Sequence, residues 1–106
     1  MEKSYAIIGG GSWATAIAKM LCNNSSNVSW WLRKQEDVDH LIKYRHNPRY
    51  LQSVEFDLNK ITPSNDLKTC IESSDIVVIA VPSAFVFQTF NGFQCEGLSN
   101  KIIFSA

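Results

Sequence analysis

The chain has 106 residues, of which 45% are apolar, 19% charged and 11% aromatic, the make-up of one folded domain and not of a disordered or fibrous segment. Ten Lys and Arg balance ten Asp and Glu, so the formal charge is zero, and no basic run restores the electrostatic footprint of a nucleic-acid binder. The longest apolar run, Ile76 to Val81, is far shorter than the roughly 18 residues of a membrane span.

Met1-Glu2-Lys3-Ser4 leads straight into a short apolar segment ending in glycines, with no signal-peptide core. Cys22, Cys70 and Cys95 are odd in number, far apart and outside any CxxC pair, which argues against a disulfide framework or a zinc knot. The expectation is a cytoplasmic protein with three reduced, buried thiols and no metal site.

In chain order, Tyr5-Ala6-Ile7-Ile8 reads as a buried strand stopped by Gly9-Gly10-Gly11. From Ser12 the period becomes helical, with Trp13, Ile17, Met20 and Leu21 on one stripe and Ala14 and Ala18 on a flat second stripe suited to a sheet. Asn23 to Asn27 are turn-formers that end this helix, and Val28-Ser29-Trp30-Trp31-Leu32 is aromatic and β-branched enough for a second strand. Gln35 to Arg45 carries Val38, Leu41 and Ile42 at helical spacing, with His40 on the solvated side, and stops before Asn47-Pro48.

Val54, Phe56 and Leu58 alternate as in a strand, and Ile61-Thr62 reads as a further short one. Asn65 or Asp66 can cap a short helix that turns Leu67, Cys70 and Ile71 inward. Ile76 to Val81 is a strand apolar on both faces, as in the middle of a covered parallel sheet, and Pro82 closes it. Ser83 then caps a helix carrying Val86, Phe90 and Phe93, and Lys101 to Ser105 is the last strand. The predicted fold is α/β, a doubly wound, mostly parallel sheet of about five strands, and nothing divides residues 1–106 into two domains.

Gly9-Gly10-Gly11-Ser12-Trp13-Ala14 fits G-x-G-x-x-A after a strand and at the start of a helix, where a dinucleotide fingerprint has its mechanism. Gly9 allows the sharp turn, Gly11 leaves room for a pyrophosphate, and Ala14 lets the helix lie close to the strand. The helix offers free N–H groups and the positive end of its dipole to the phosphates. Roughly 20 residues on, where an acid would hold the ribose of NAD, the chain has Arg33-Lys34. Two cations there can pair with a 2′-phosphate, so NADP is expected in preference to NAD, with Arg33 on or beside the adenine. A solvated basic pair is the competing reading, and Glu36 or Asp37 could still reach a ribose.

Gly9 to Ala16, Trp31-Leu32-Arg33, His46-Asn47-Pro48-Arg49-Tyr50-Leu51 and Val81-Pro82-Ser83 with Phe85 together resemble the N-terminal part of a bacterial-type NAD(P)-dependent glycerol-3-phosphate dehydrogenase. The resemblance implies interconversion of sn-glycerol 3-phosphate and dihydroxyacetone phosphate, which supplies phospholipid biosynthesis. It also implies dinucleotide contacts for Ser12, Trp13 and Arg33, with Lys34 beside them, and places Pro82 and Phe85 near the nicotinamide. Trp13 reads equally as a core residue of the first helix, and Phe85 as packing under the sheet.

Members of that family are several-fold longer, with a helical C-terminal domain that holds the catalytic lysine and most substrate contacts. A further family lysine falls just after the point where Ser105-Ala106 ends this chain. The expectation is therefore a truncated cofactor-binding domain with no catalytic residue of its own, inactive in isolation, whose incomplete edge favours a homodimer. His46 reads as a loop residue. The rival readings are the cofactor domain of another β-hydroxyacid-type dehydrogenase and a dinucleotide-sensing module without chemistry.

Overall fold

A computed structural model describes residues 4–24, 27–46, 55–81 and 102–105. The elements are β1 (Tyr5–Ile8), α1 (Ser12–Asn24), β2 (Val28–Trp31), α2 (Gln35–Tyr44), β3 (Ile61–Ser64), α3 (Leu67–Glu72), β4 (Ile76–Ile79) and β5 (Ile102–Ser105). The strands form one five-stranded sheet in the order β3-β2-β1-β4-β5, parallel at every pairing.

The period-two pattern of each strand divides the core into two layers. Ile7, Val28, Trp30, Leu32, Ile61 and Ala80 meet Ala14, Ile17 and Ala18 of α1 and Val38 and Leu41 of α2 on one face. Ala6, Ile8, Trp31 and Val77 meet Cys70 and Ile71 of α3 on the other. Fully burying a side chain such as Ile7 or Leu41 contributes roughly 1.5–3 kcal/mol, so each layer needs its helix. β4 shows why an uninterrupted apolar run belongs here: Val77 and Ile79 face the α3 layer, whereas Val78 and Ala80 face the α1 layer.

The strand order has a functional consequence. The first two crossovers step outward from β1 to β2 to β3, and α3 then carries the chain back to the other side of β1. The connections therefore leave the C-terminal ends of β1 and β4 in opposite directions, which opens a crevice there.

Several local expectations change. On α1 the sheet-facing stripe is Ala14, Ile17, Ala18 and Cys22, while Trp13 and Met20 are 60% and 57% exposed. The small alanines allow close approach to the sheet, and that choice turns the larger Trp13 and Met20 outward. The alternation at Val54, Phe56 and Leu58 does not mark a strand over its described part: residues 55–57 are irregular and 58–60 form a turn. Asp57 takes up the backbone there, accepting from Lys60 N at 2.9 Å through its carbonyl and from Asn59 N at 2.9 Å through Oδ1. Phe56 is nonetheless buried, its ring 5.0 Å from that of Trp30, so the alternation reports burial without ladder pairing. Val54 lies outside the described residues.

The strand read at Ile61-Thr62 extends to Ser64 and includes Pro63, which the sheet edge tolerates because no ladder donor is needed there. Asp66 and not Asn65 caps α3, accepting from Thr69 Oγ1 at 2.8 Å and Thr69 N at 3.3 Å. Those bonds to the charged form hold the Asp66 carboxyl below its usual range. His40 is half-buried, contrary to the solvated reading. Its ring lies 4.6 Å from Tyr44 and 4.9 Å from His46, which cover it as α2 ends, and its Nε2 is enclosed with no hydrogen-bond partner among the described residues. α2 ends at Arg45, whose φ of 65° is left-handed and whose N–H donates to Leu41 O at 2.7 Å.

Cys22 and Cys70 are free and buried. Burial pushes both thiols up, Cys70 to about 11. Cys95, the cap at Ser83 and the helix read from Val86 to Phe93 lie outside the described residues.

Candidate functional site

The chain leaves β1 through three glycines that the fold uses differently. Gly9 has φ +134°, a conformation that side chains disfavour, and a Cβ there would lie 2.6 Å from Ala80 O and 2.9 Å from Ala80 C. The β1 and β4 backbones approach so closely at the crevice that only glycine fits. A Cβ on Gly10 would lie 2.9 Å from Leu32 Cδ2. A Cβ on Gly11 would meet nothing within 4 Å among the described residues, and Gly11 has no positive φ. Among the described residues, neither packing nor backbone conformation requires a glycine at position 11.

Helix α1 starts at this open position. Its first backbone bond runs from Thr15 N to Gly11 O at 2.9 Å, and Thr15 Oγ1 donates to the same carbonyl at 2.7 Å. The amides of Ser12, Trp13 and Ala14 precede that bond and so lack intrahelical acceptors. No acidic side chain occupies the first turn to neutralise the positive end of the dipole. Ser12 is exposed, Trp13 stands out from the same turn, and Ala14 is fully buried against the sheet. Exposure of Trp13 overturns its reading as a core residue. An anion can therefore approach Gly11 and the helix start without displacing side chains of the described residues.

The second corner lies at the same end of the sheet. Register pairs Ile8 with Trp31, and Gly9 N donates to Trp31 O at 3.1 Å, so the glycine turn and residues 32–34 emerge side by side. Arg33 and Lys34 are both exposed. Lys34 Nζ lies 4.0 Å from Glu36 Oε1, a loose surface pair of small energetic value. Arg33 has no carboxylate partner among the described residues. Glu36 and Asp37 occupy the first turn of α2, where they complement its dipole.

Three side chains to which the sequence reading gave no bracing role hold these corners. Buried Trp30 donates from Nε1 to Gly9 O at 2.6 Å. Trp31, on the opposite face, donates from Nε1 to Asn65 O at 3.0 Å. Asn65 Nδ2 donates in turn to Arg33 O at 2.7 Å and Leu32 O at 3.4 Å. A buried indole needs an acceptor, so the Trp-Trp pair announces two such bonds. Which carbonyls accept is decided by chain segments far away in sequence.

Pro82 and Phe85 lie outside the described residues, as do Asn47 to Leu51 of the resembling segments. Val81 is described and borders the crevice, its Cγ1 lying 3.2 Å from where a Gly9 Cβ would be. Among the described residues, no group of three or more His, Cys, Asp and Glu could hold a metal ion, and no helix is long and apolar enough to cross a membrane.

Residues 4–106 match the family described as the NAD-dependent glycerol-3-phosphate dehydrogenase N-terminus. A glycerol-3-phosphate dehydrogenase [NAD(P)+] of Pseudomonas syringae is 33% identical over 104 residues, which are 98% of this chain and 30% of that protein. One of the same name from Legionella pneumophila is 39% identical over 82 residues, 77% of this chain and 25% of that protein. The crystal structure of the Coxiella burnetii glycerol-3-phosphate dehydrogenase superposes with a TM-score of 0.81 at 29% identity, covering 99% of this chain and 32% of that one. The chain thus spans less than a third of the length of these proteins. With the glycine turn, the parallel sheet order and the matched residues all in agreement, the chain belongs to the NAD-dependent glycerol-3-phosphate dehydrogenase N-terminus family.

Proposed function

We propose that residues 1–106 are the dinucleotide-binding domain of a glycerol-3-phosphate dehydrogenase and that they prefer NADP to NAD. The observation that carries the reading is Gly11, a glycine that no contact among the described residues requires but that an approaching pyrophosphate would. In this reading Gly9 and Ala14 shape the turn, and the N–H groups of Ser12, Trp13 and Ala14 receive the phosphates. Trp13 flanks the bound dinucleotide. Arg33, with Lys34 beside it, pairs with the 2′-phosphate, the fork of the guanidinium matching two phosphate oxygens. Pro82 and Phe85 border the nicotinamide.

A nicotinamide dinucleotide supplies the hydride carrier; this chain binds and orients it. The proton chemistry on glycerol 3-phosphate or dihydroxyacetone phosphate belongs to residues of the whole protein outside this chain, so the 106 residues alone turn over no substrate. The free thiols Cys22 and Cys70 fit a reducing compartment, which supports a cytoplasmic location. Self-association through the sheet edges into a homodimer is part of the same proposal.

Calorimetric titration of the chain with NADPH and NADH, repeated on Arg33→Asp, tests this function. Tighter NADPH binding that the substitution abolishes or inverts is the expected result. Absence of binding by both dinucleotides would refute the assignment of the glycine turn. Equal binding of the two, unaffected by Arg33→Asp, would refute the NADP preference alone.

A further inference from the structure

We infer that Asn65 is a positioning residue for cofactor discrimination, acting through the backbone that carries Arg33. The inference rests on the proposed pairing of Arg33 with a 2′-phosphate and adds the group that aims it.

A basic side chain discriminates only if its Cα is held at a fixed distance and direction from the ribose site. Arg33 sits beyond the end of β2, where ladder pairing stops: the last backbone bond from this segment to β3 is Leu32 N to Ser64 O at 2.9 Å. Past it, the carbonyls of Leu32 and Arg33 have no strand among the described residues to pair with. Asn65 follows Ser64 directly and extends the ladder with its side chain, Nδ2 donating to Arg33 O at 2.7 Å and to Leu32 O at 3.4 Å. Its own carbonyl is anchored by Trp31 Nε1 at 3.0 Å. On the far side, Lys34 O accepts from Asp37 N at 3.1 Å and Val38 N at 3.3 Å, so α2 fixes the next residue. Arg33 is thus an exposed residue on a backbone clamped from both sides, and Asn65 supplies the clamp that is not secondary structure.

The chemistry excludes simpler roles for this amide. Asn65 does not cap α3, since Asp66 does that, and its side chain is exposed, so the core does not depend on it. The clamp acts on the backbone of Leu32 and Arg33 and leaves the glycine turn alone, where Trp30 provides the equivalent brace. Loss of Asn65 should therefore weaken binding of a dinucleotide bearing a 2′-phosphate more than one bearing a 2′-hydroxyl.

The test is titration of the 106-residue chain with NADPH and NADH in four forms: parent, Asn65→Ala, Arg33→Ala and the double variant, with thermal unfolding of each. Expected for Asn65→Ala is an about 5- to 10-fold fall in the NADPH-to-NADH affinity ratio, the scale of a slightly misdirected contact, with little change in NADH binding and an unfolding midpoint near that of the parent. In the Arg33→Ala background, Asn65→Ala should change the ratio no further, because its effect passes through Arg33. An unchanged ratio in Asn65→Ala, with a lowered one in Arg33→Ala, would overturn the positioning role and leave the 2′-phosphate reading standing. Equal weakening of both dinucleotides would also overturn it, in favour of a general structural role. A ratio that Arg33→Ala itself leaves unchanged would overturn the 2′-phosphate reading and this inference together.

Discussion

In the proposed function the three glycines of the first turn separate folding from binding within three residues, and two alanine substitutions test the separation. Gly9→Ala forces a side chain into a left-handed conformation, at a cost of roughly 1–3 kcal/mol. It also drives a methyl group to 2.6 Å from Ala80 O, a backbone atom that cannot swing aside, so overpacking adds roughly 1–3 kcal/mol. The sum, about 2–6 kcal/mol, is a large part of the about 5–15 kcal/mol that holds a small domain folded. Gly11→Ala meets no neighbour within 4 Å among the described residues and needs no special φ. It should leave stability within about 1 kcal/mol of the parent, because the restriction alanine places on the unfolded chain is offset by the preference for glycine over alanine at a helix N-cap. What it should damage is dinucleotide affinity. Losing one charge-assisted N–H bond to phosphate, worth about 1.5–3 kcal/mol, weakens binding roughly 10- to 100-fold. Urea unfolding followed by tryptophan fluorescence, paired with NADPH titration, reads both quantities. A Gly11→Ala protein as destabilised as Gly9→Ala, or one that binds NADPH like the parent, would refute the reasoning.

Two further outcomes are expected. Trp30→Phe keeps a ring against Phe56 but removes the indole bond to Gly9 O, and should lower the urea-unfolding free energy by roughly 1–3 kcal/mol; an unchanged midpoint would show that the bond contributes nothing. Asp66 has its carboxyl held below the usual range by Thr69, so the folded state binds its proton less readily than the unfolded chain. Its contribution is complete above the unfolded carboxylate pKa and is lost as pH falls through the lower folded value. Stability of Asp66→Asn should therefore fall less steeply with acid than that of the parent, as read from urea midpoints across that range.

Much of the architecture is written locally. Tyr5 to Ile8, Val28 to Trp31 and Ile76 to Ile79 are short apolar runs bounded by turn-formers, and the helices between them carry a period of 3.6, so strand, helix and their alternation follow from neighbours in sequence. The same holds for the glycine turn, whose pattern and position between strand and helix match those of a dinucleotide fingerprint before any contact is known. Local signals mislead where one pattern serves two causes. Phe56 and Leu58 alternate because both are drawn into the α1 and α2 layer, and Asp57 meanwhile commits the backbone to a turn. Trp13 and Met20 share helical spacing with Ile17, yet the alanines win the sheet-facing side because helix and sheet must approach closely.

Sequence by itself determined the α/β class, the order of elements from β1 to β4 apart from the strand read at Val54 to Leu58, the last strand, the glycine turn at Gly9 to Gly11, and the exposed basic pair Arg33-Lys34 that follows it. Tertiary structure alone decided the strand order that opens a crevice beside Gly9, and that the close approach of Ala80 requires a glycine at position 9. It also decided that Trp30, Trp31 and Asn65 brace the two corners. The division has one physical cause. Periodicity and turn chemistry act between residues a few positions apart, whereas a carbonyl that a Cβ would strike, or an indole N–H would find, belongs to a segment tens of residues away, brought close only when the sheet assembles.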